Sequence, residues 1–245
     1  MSNYLIFGAT SAIATELARL LAKRGDKFIL VGRNAYKLSA VAADISTRGG
    51  NIAGALTADL ADISTHCALF AEARQRLGNI DCVVIAHGTL PDAERADSDA
   101  DYALEQFAVN ATSAISLGIR ASTEMQRVGA GMIVVIGSVA GERGRQSNYL
   151  YGGAKGAVDI FFQGLRNRLY SNNIHVLTVK PGFVDTPMTA HLPKNFLFAS
   201  PSKVASNILH AMDKRRDVLF APWFWRWIML VVRLIPEGIF KKLKL

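Results

Sequence analysis

The chain of 245 residues predicts an α/β fold: a doubly wound parallel sheet of about seven strands with helices on both faces. Three observations predict it. Short β-rich runs alternate with segments whose apolar residues recur at helical spacing. A glycine-led loop joins the first run to the first helical segment. Half of the residues are hydrophobic, enough to fill one large core. Alternation of this kind implies right-handed βαβ crossovers and a sheet covered on both sides.

The elements follow in order. Tyr4 to Phe7 reads as the first strand and Ile13 to Arg24 as the first helix. Phe28 to Val31 and Ile52 to Thr57 are the next strands, and Leu69 to Leu77 is helical. Cys82 to Ala86 is the fourth strand, and Leu104 to Gln126 reads as one long helix. Met132 to Ile136 is an unbroken apolar run, as expected of a strand buried on both faces. Ala157 to Leu169 and Val204 to Met212 are helical, and Ile174 to Val179 and Val218 to Phe220 complete the strands. No repeat or low-complexity linker interrupts the series. Composition shifts only after Ala221, which divides the chain into a domain, 1–221, and an apolar and basic extension, 222–245.

Composition excludes several classes of function. The two cysteines, Cys67 in a helix and Cys82 in a buried strand, make a disulfide framework improbable. Met1-Ser2-Asn3 runs directly into strand residues, leaving no room for a signal peptide, so a cytoplasmic location is expected. The net charge is +8, and most of it lies in the tail. From Lys214 onward, eight basic residues (Lys214, Arg215, Arg216, Arg226, Arg233, Lys241, Lys242 and Lys244) face two acidic ones, Asp217 and Glu237. A nucleic-acid partner is not expected, because the body is nearly neutral and carries no zinc, helix-turn-helix or RNP pattern. No metal site is expected.

Tyr151 and Lys155 stand four apart at the start of a helical segment, so phenol and ammonium share one face. A free tyrosine titrates near pH ~10, and bringing it toward 7 takes roughly 4 kcal/mol of preference for the phenolate. A cation about 4 Å away in partly screened surroundings supplies about that much. Ser138 ends the fifth strand, at the sheet edge where open α/β folds bind ligands. Together the three can protonate a carbonyl oxygen.

Gly8-Ala9-Thr10-Ser11-Ala12-Ile13-Ala14 follows the first strand and opens the first helix, where free amides and the helix dipole would hold a pyrophosphate. Ala12 and Ala14 occupy positions usually taken by glycine, so each methyl needs space. After the second strand, Arg33 and Asn34 stand where an acidic residue would bind the ribose of NAD. Arginine there pairs instead with a 2′-phosphate, which favours NADP(H) over NAD(H), although an exposed arginine in water is the bland alternative. Asp59 and Leu60, after the third strand, are placed to meet the adenine edge, or Asp59 is simply a helix cap.

These pieces resemble the short-chain dehydrogenase/reductase family over Tyr4 to about Phe220. The resemblance implies a Rossmann domain and a catalytic set of Asn110, Ser138, Tyr151 and Lys155. Hydride would pass from the nicotinamide to a carbonyl carbon while Tyr151 gives the oxygen a proton. Ser138 would hydrogen-bond that oxygen, Lys155 would lower the tyrosine pKa and grip the ribose, and Asn110 would hold a relaying water. Pro181-Gly182-Phe183-Val184-Asp185-Thr186 matches the family's P-G-x-V-x-T, implying nicotinamide contacts from Pro181, Gly182, Val184 and Thr186. Ile85-Ala86-His87-Gly88 departs from the family's N-N-A-G. His87 is either a satisfied structural histidine, the favoured reading, or a nucleotide contact. The segment Ala86 to Pro91, the alanine-bearing loop and the tail are similar to a narrower branch, the decaprenylphosphoryl-2-keto-pentose reductases. That resemblance implies a lipid-linked keto-sugar substrate and a flavin-dependent oxidase as partner. A small ketone or 3-oxoacyl thioester, and a non-catalytic scaffold that binds NADP(H), are the alternatives.

The three tryptophans fall within Pro222-Trp223-Phe224-Trp225-Arg226-Trp227, followed by an apolar run to Pro236 and a basic end. A spanning helix wants about 20 apolar residues, and Arg226 and Arg233 break the run twice. The segment is therefore expected to lie in the interface of an anionic membrane, on the inner face of the plasma membrane, rather than to cross it. A lid over the substrate or a subunit contact is the other reading. Broad apolar faces on Leu104 to Gln126 and Ala157 to Leu169 point to a homo-oligomer.

Overall fold

The computed structural model describes residues 1–243, so Lys244 and Leu245 of the basic tail lie outside the described residues. The strands are β1 (Asn3–Phe7), β2 (Lys27–Gly32), β3 (Asn51–Thr57), β4 (Cys82–Ile85), β5 (Gly131–Ile136), β6 (Ile174–Pro181) and β7 (Val218–Ala221). They form one sheet in the order β3-β2-β1-β4-β5-β6-β7, every pair parallel. The order reverses between β1 and β4, which opens a crevice at their carboxyl ends.

The helices are α1 (Ala12–Ala22), α2 (Ala35–Thr47), α3 (His66–Leu77), α4 (Ala93–Ser98), α5 (Ala100–Phe107), α6 (Ser113–Val128), α7 (Tyr149–Leu169), α8 (Pro201–Asp213), α9 (Trp225–Leu234) and α10 (Glu237–Phe240). Leu17, Leu21 and Ile208 pack with Ile6 and Leu30 on one face of the sheet. Phe70, Leu117 and Phe162 pack with Phe7 and Val83 on the other. The doubly wound α/β sheet expected from the alternation is the observed fold.

Two elements differ from expectation. Leu104 to Gln126 is not one helix: α5 ends at Phe107, and α6 begins at Ser113 after a π-helical turn, Ala108–Thr112. The wider turn inserts an extra residue and carries the buried Asn110, a distortion common at functional sites. The second difference is the tail, which docks on the domain. Trp225 and Met229 are buried against Val139, Phe183, Phe220 and Val232. The Trp225 indole covers Gly182, where a Cβ would stand 1.9 Å from its Nε1.

Polar contacts hold the tail in place. The Arg143 Nη1 donates to the carbonyls of Val232 at 2.7 Å and Ile235 at 2.6 Å, capping the end of α9. Its Nη2 pairs with Glu237 at 2.9 Å, and its guanidinium stacks 3.6 Å above the Phe240 ring. Arg233 reaches the buried Glu142 from the solvent side, at 3.1 Å. The outer face of α9 stays uncovered, with Trp227, Val231 and Leu234 exposed, as is Trp223 just before the helix.

Candidate active site

A cleft of about 1270 Å³ runs along the carboxyl edge of the sheet, from Arg33 to Trp225. Its walls include Gly8, Thr10, Ser11, Ala12, Ile13, Arg33, Asp59, Leu60, Ala86, His87, Gly88, Ser138, Tyr151, Lys155, Pro181, Gly182, Val184 and Thr186. Most of the predicted set is thus assembled in one place. Asn34 and Asn110 are not among its walls.

The nucleotide end follows from local rules. Gly8 has φ +74°, and a Cβ there would sit 2.5 Å from the His87 amide nitrogen, so only glycine lets the β1 and β4 loops touch. The Ser11 side chain caps α1 by accepting from the Ala14 amide, leaving the amides of Ala12 and Ile13 for a ligand. Ala14 is buried inward, which gives its methyl the space it requires. Asn34 corrects the sequence reading: its Oδ1 accepts from Lys37 N at 2.9 Å, capping α2. Lys37, in the first turn of α2, adds a second cation beside Arg33 at this end of the cleft wall. Asp59 lines the cleft and also accepts from the Ala61 amide at 3.0 Å.

At the centre, Ser138 and Tyr151 meet because glycine lets two segments approach. The turn Val139–Glu142 lies against α7, where a Cβ on Gly152 would stand 2.9 Å from the Ala140 carbonyl oxygen. The Ser138 Oγ accepts from the Ala140 amide at 3.1 Å. Lys155 Nζ donates to the Ile136 carbonyl at 3.1 Å and lies 5.7 Å from the centre of the Tyr151 ring.

The electrostatics correct the expectation for Tyr151. Burial pushes its phenol up to about 12, against the opposing effect of the facing Ser138 hydroxyl. Burial pulls Lys155 down to about 8. Desolvation disfavours the charged form of each group, because both are buried. Near neutral pH the pair therefore rests as phenol and ammonium, with the proton on the oxygen.

Asn110 is locked by protein contacts. Its Oδ1 accepts from Thr89 N at 3.0 Å, while its Nδ2 donates to Thr89 Oγ1 at 3.2 Å and the Gln106 carbonyl at 3.0 Å. Its side chain thus ties the loop after β4 to the π-helical turn rather than facing the cleft. His87 is anchored on one side of its ring and lines the cleft. Its Nε2 meets Ser113 Oγ at 2.8 Å, and Ser113 gives its own proton to the Leu60 carbonyl, so Nε2 carries the histidine proton. Burial, aided by the charge of Lys155, holds His87 down to about 3. Its Nδ1 is buried with no protein partner, and the residue lines the cleft.

Comparison with known proteins agrees with this geometry. The family model described as short chain dehydrogenase matches residues 2–196. The chain belongs to the short-chain dehydrogenase family. It is an NAD(P)(H)-dependent oxidoreductase of that family. An uncharacterized oxidoreductase of Mycobacterium tuberculosis is 34% identical over 239 residues, covering 98% of this chain and 96% of that one. An uncharacterized oxidoreductase of Streptomyces coelicolor is 30% identical, covering 98% and 95%. A short-chain dehydrogenase from Sphingobium yanoikuyae, solved with NADPH, superposes with a TM-score of 0.82 at 25% identity, covering 97% and 98%. The family match ends before α8, so the tail that roofs the cleft lies beyond it.

Arg145 and Trp225 line the cleft and are residues that sequence reasoning missed as parts of the site. The signals available were an arginine seven residues past Ser138 and a tryptophan in an apolar helix. Nothing in their spacing says that the two segments touch.

Proposed function

We propose that this protein is an NADPH-preferring reductase of a ketone on a polyprenyl-phosphate keto-sugar, with Tyr151 as proton donor, working at an anionic membrane surface. The observation that carries the reading is the apposition of Ser138, Tyr151 and Lys155 in a cleft rimmed by the tail. Bound in that cleft, the dinucleotide supplies the hydride. Arg33 and Lys37 neutralise its 2′-phosphate, and the start of α1 holds its pyrophosphate. Ser138 orients the carbonyl oxygen, and the protonated Tyr151 gives it a proton. Lys155 stabilises negative charge as it develops. Asn110 acts on the site by fixing the Thr89 loop.

The membrane component rests on the outer stripe of α9, whose exposed Trp227, Val231 and Leu234 recur at helical spacing, together with the exposed Trp223 just before it, beside Arg226, Lys241 and Lys242. Such a stripe needs a partner, and basic neighbours suit anionic lipid. No helix among the described residues is long and apolar enough to cross a membrane. A polyprenyl chain would remain in the bilayer while its head group enters the cleft, and an oxidase, flavin-dependent in the resembling branch, would supply the ketone. The exposed Leu104, Ile119 and Ile160 offer a second apolar surface for a homo-oligomer.

NADPH oxidation by the whole protein, with the keto-sugar lipid in anionic vesicles, tests the reading. Turnover is expected there, and substitution of Trp223, Trp227 and Val231 by serine should release the protein from vesicles while sparing reduction of a water-soluble diketone. Unchanged sedimentation with lipid would refute the membrane component.

A pH prediction follows from Lys155. Its charged form is present below about 8 and lost above it. The kcat/KM for NADPH, which reports the free enzyme, should be level at pH 6 to 7 and fall tenfold per unit above about 8. A profile flat to pH 10 would remove Lys155 from the chemistry.

A further inference from the structure

Several buried polar atoms without a protein partner belong to residues that line the cleft. Six such side-chain atoms occur among the described residues, and those of His87, Arg145, Asn148 and Trp225 lie on residues that line it. Folding rarely leaves buried polar groups unmet, so several around one cavity mark a place where a ligand completes the bonding. Arg145 is the charged member. It sits in the loop between Ser138 and α7, and its Nε is buried without an acceptor.

The nearby acids are committed elsewhere. Asp97 accepts from Tyr149 OH at 2.7 Å, Asp92 accepts from the Arg95 amide at 3.0 Å, and Glu237 pairs with Arg143. No carboxylate among the described residues forms an ion pair with Arg145, unlike its neighbour Arg143. A half-buried guanidinium offers donors only and matches the paired oxygens of a phosphate or carboxylate.

We propose that Arg145 binds an anionic group, a phosphate ester or a carboxylate, carried by the ketone substrate, and thereby selects charged ketones over neutral ones. This rests on the reductase reading above and adds to it the residue that reads the substrate's charge. Arg145 is a specificity residue that lies apart from Ser138, Tyr151 and Lys155, so the reducing centre should survive its replacement.

The test compares the NADPH-loaded wild type with Arg145→Gln and Arg145→Lys, using calorimetric binding and turnover. The probes are a pentulose 5-phosphate, the keto-sugar polyprenyl phosphodiester in vesicles, and a neutral vicinal diketone. Arg145→Gln should weaken binding of at least one anionic probe by roughly tenfold to a hundredfold, the range of a charge-assisted hydrogen bond. Arg145→Lys should recover part of the loss, and diketone turnover should stay within twofold of wild type. Loss confined to the vesicle arm identifies the lipid-linked source, while loss with the pentulose phosphate identifies a free anion; either supports the assignment. Equal losses on charged and neutral ketones, or unchanged binding of both anionic probes, would overturn it. Should the wild type bind an anionic probe through Arg145 yet reduce no ketone, the reductase reading fails and the anion site stands.

Discussion

Tyr151→Phe is expected to lower kcat by about a hundredfold to ten-thousandfold, the usual contribution of a positioned acid, while leaving the Kd for NADPH unchanged. The substitution removes one oxygen from a buried ring and keeps its packing. It also removes the only phenol that faces Ser138 in the cleft. With its pKa pushed up to about 12, Tyr151 is fully protonated at neutral pH and ready to donate. Lys155 is occupied with the Ile136 carbonyl, and His87 is neutral with its proton directed at Ser113. Absorbance loss of NADPH measures the rate and calorimetry the affinity. Residual activity within tenfold of wild type would mean that another group supplies the proton. Loss of NADPH binding instead would mean that Tyr151 serves the dinucleotide rather than the carbonyl.

Lys180→Met should cost about 3–5 kcal/mol of stability, the price of stranding buried charges. The Lys180 ammonium lies between two carboxylates, with Nζ at 2.5 Å from Glu142 Oε1 and 2.8 Å from Asp159 Oδ2. The Lys180 and Glu142 side chains are 7% and 4% exposed. Removing the cation leaves two acids facing each other in the interior. At roughly 2–4 °C per kcal/mol for a chain of this size, the thermal midpoint should fall by about 10 °C. Arg233→Met is the contrast. That side chain is 59% exposed and meets Glu142 from the solvent side, so its loss should cost less than about 1 kcal/mol. A drop of similar size in both variants would show that the cluster does not act as a buried unit. The location gives the cluster a second consequence: it joins the end of β6, the turn after Ser138, α7 and the tail. Lys180→Met should therefore also loosen the roof of the cleft.

The fold was readable because each of its decisions is local. Strand and helix differ in period, and Val83, Ile133 and Val176 alternate with segments such as Leu17 to Leu21 strongly enough to set the order of the elements. The approach of Tyr151 and Lys155 was readable for the same reason, since four residues make one helical turn. Their proton affinities were not. These depend on how completely Val139, Trp225 and the neighbouring loops exclude water, and those segments are far apart in the chain. Asn110 illustrates the limit in another way. Its residue type pointed to the site, but the π-helical turn that directs its amide toward Thr89 and Gln106 arises from packing among α5, α6 and α7.

Asn34 and the tail mark the same boundary. An asparagine before a helix caps it as readily as it meets a ribose, and only the position of Lys37 N resolved the choice. In the tail, residue pattern established an amphipathic helix with tryptophans and cations. It did not say that Trp225 and Met229 would turn inward, because both sides of that helix carry apolar residues. Periodicity and short-range spacing therefore set the succession of strands and helices along the chain, the nucleotide loop and the Tyr151–Lys155 pair. Burial, and with it protonation, the Arg143 latch and the unpartnered Arg145, came from contacts between distant segments, whose energies depend on solvent exclusion that no local pattern encodes.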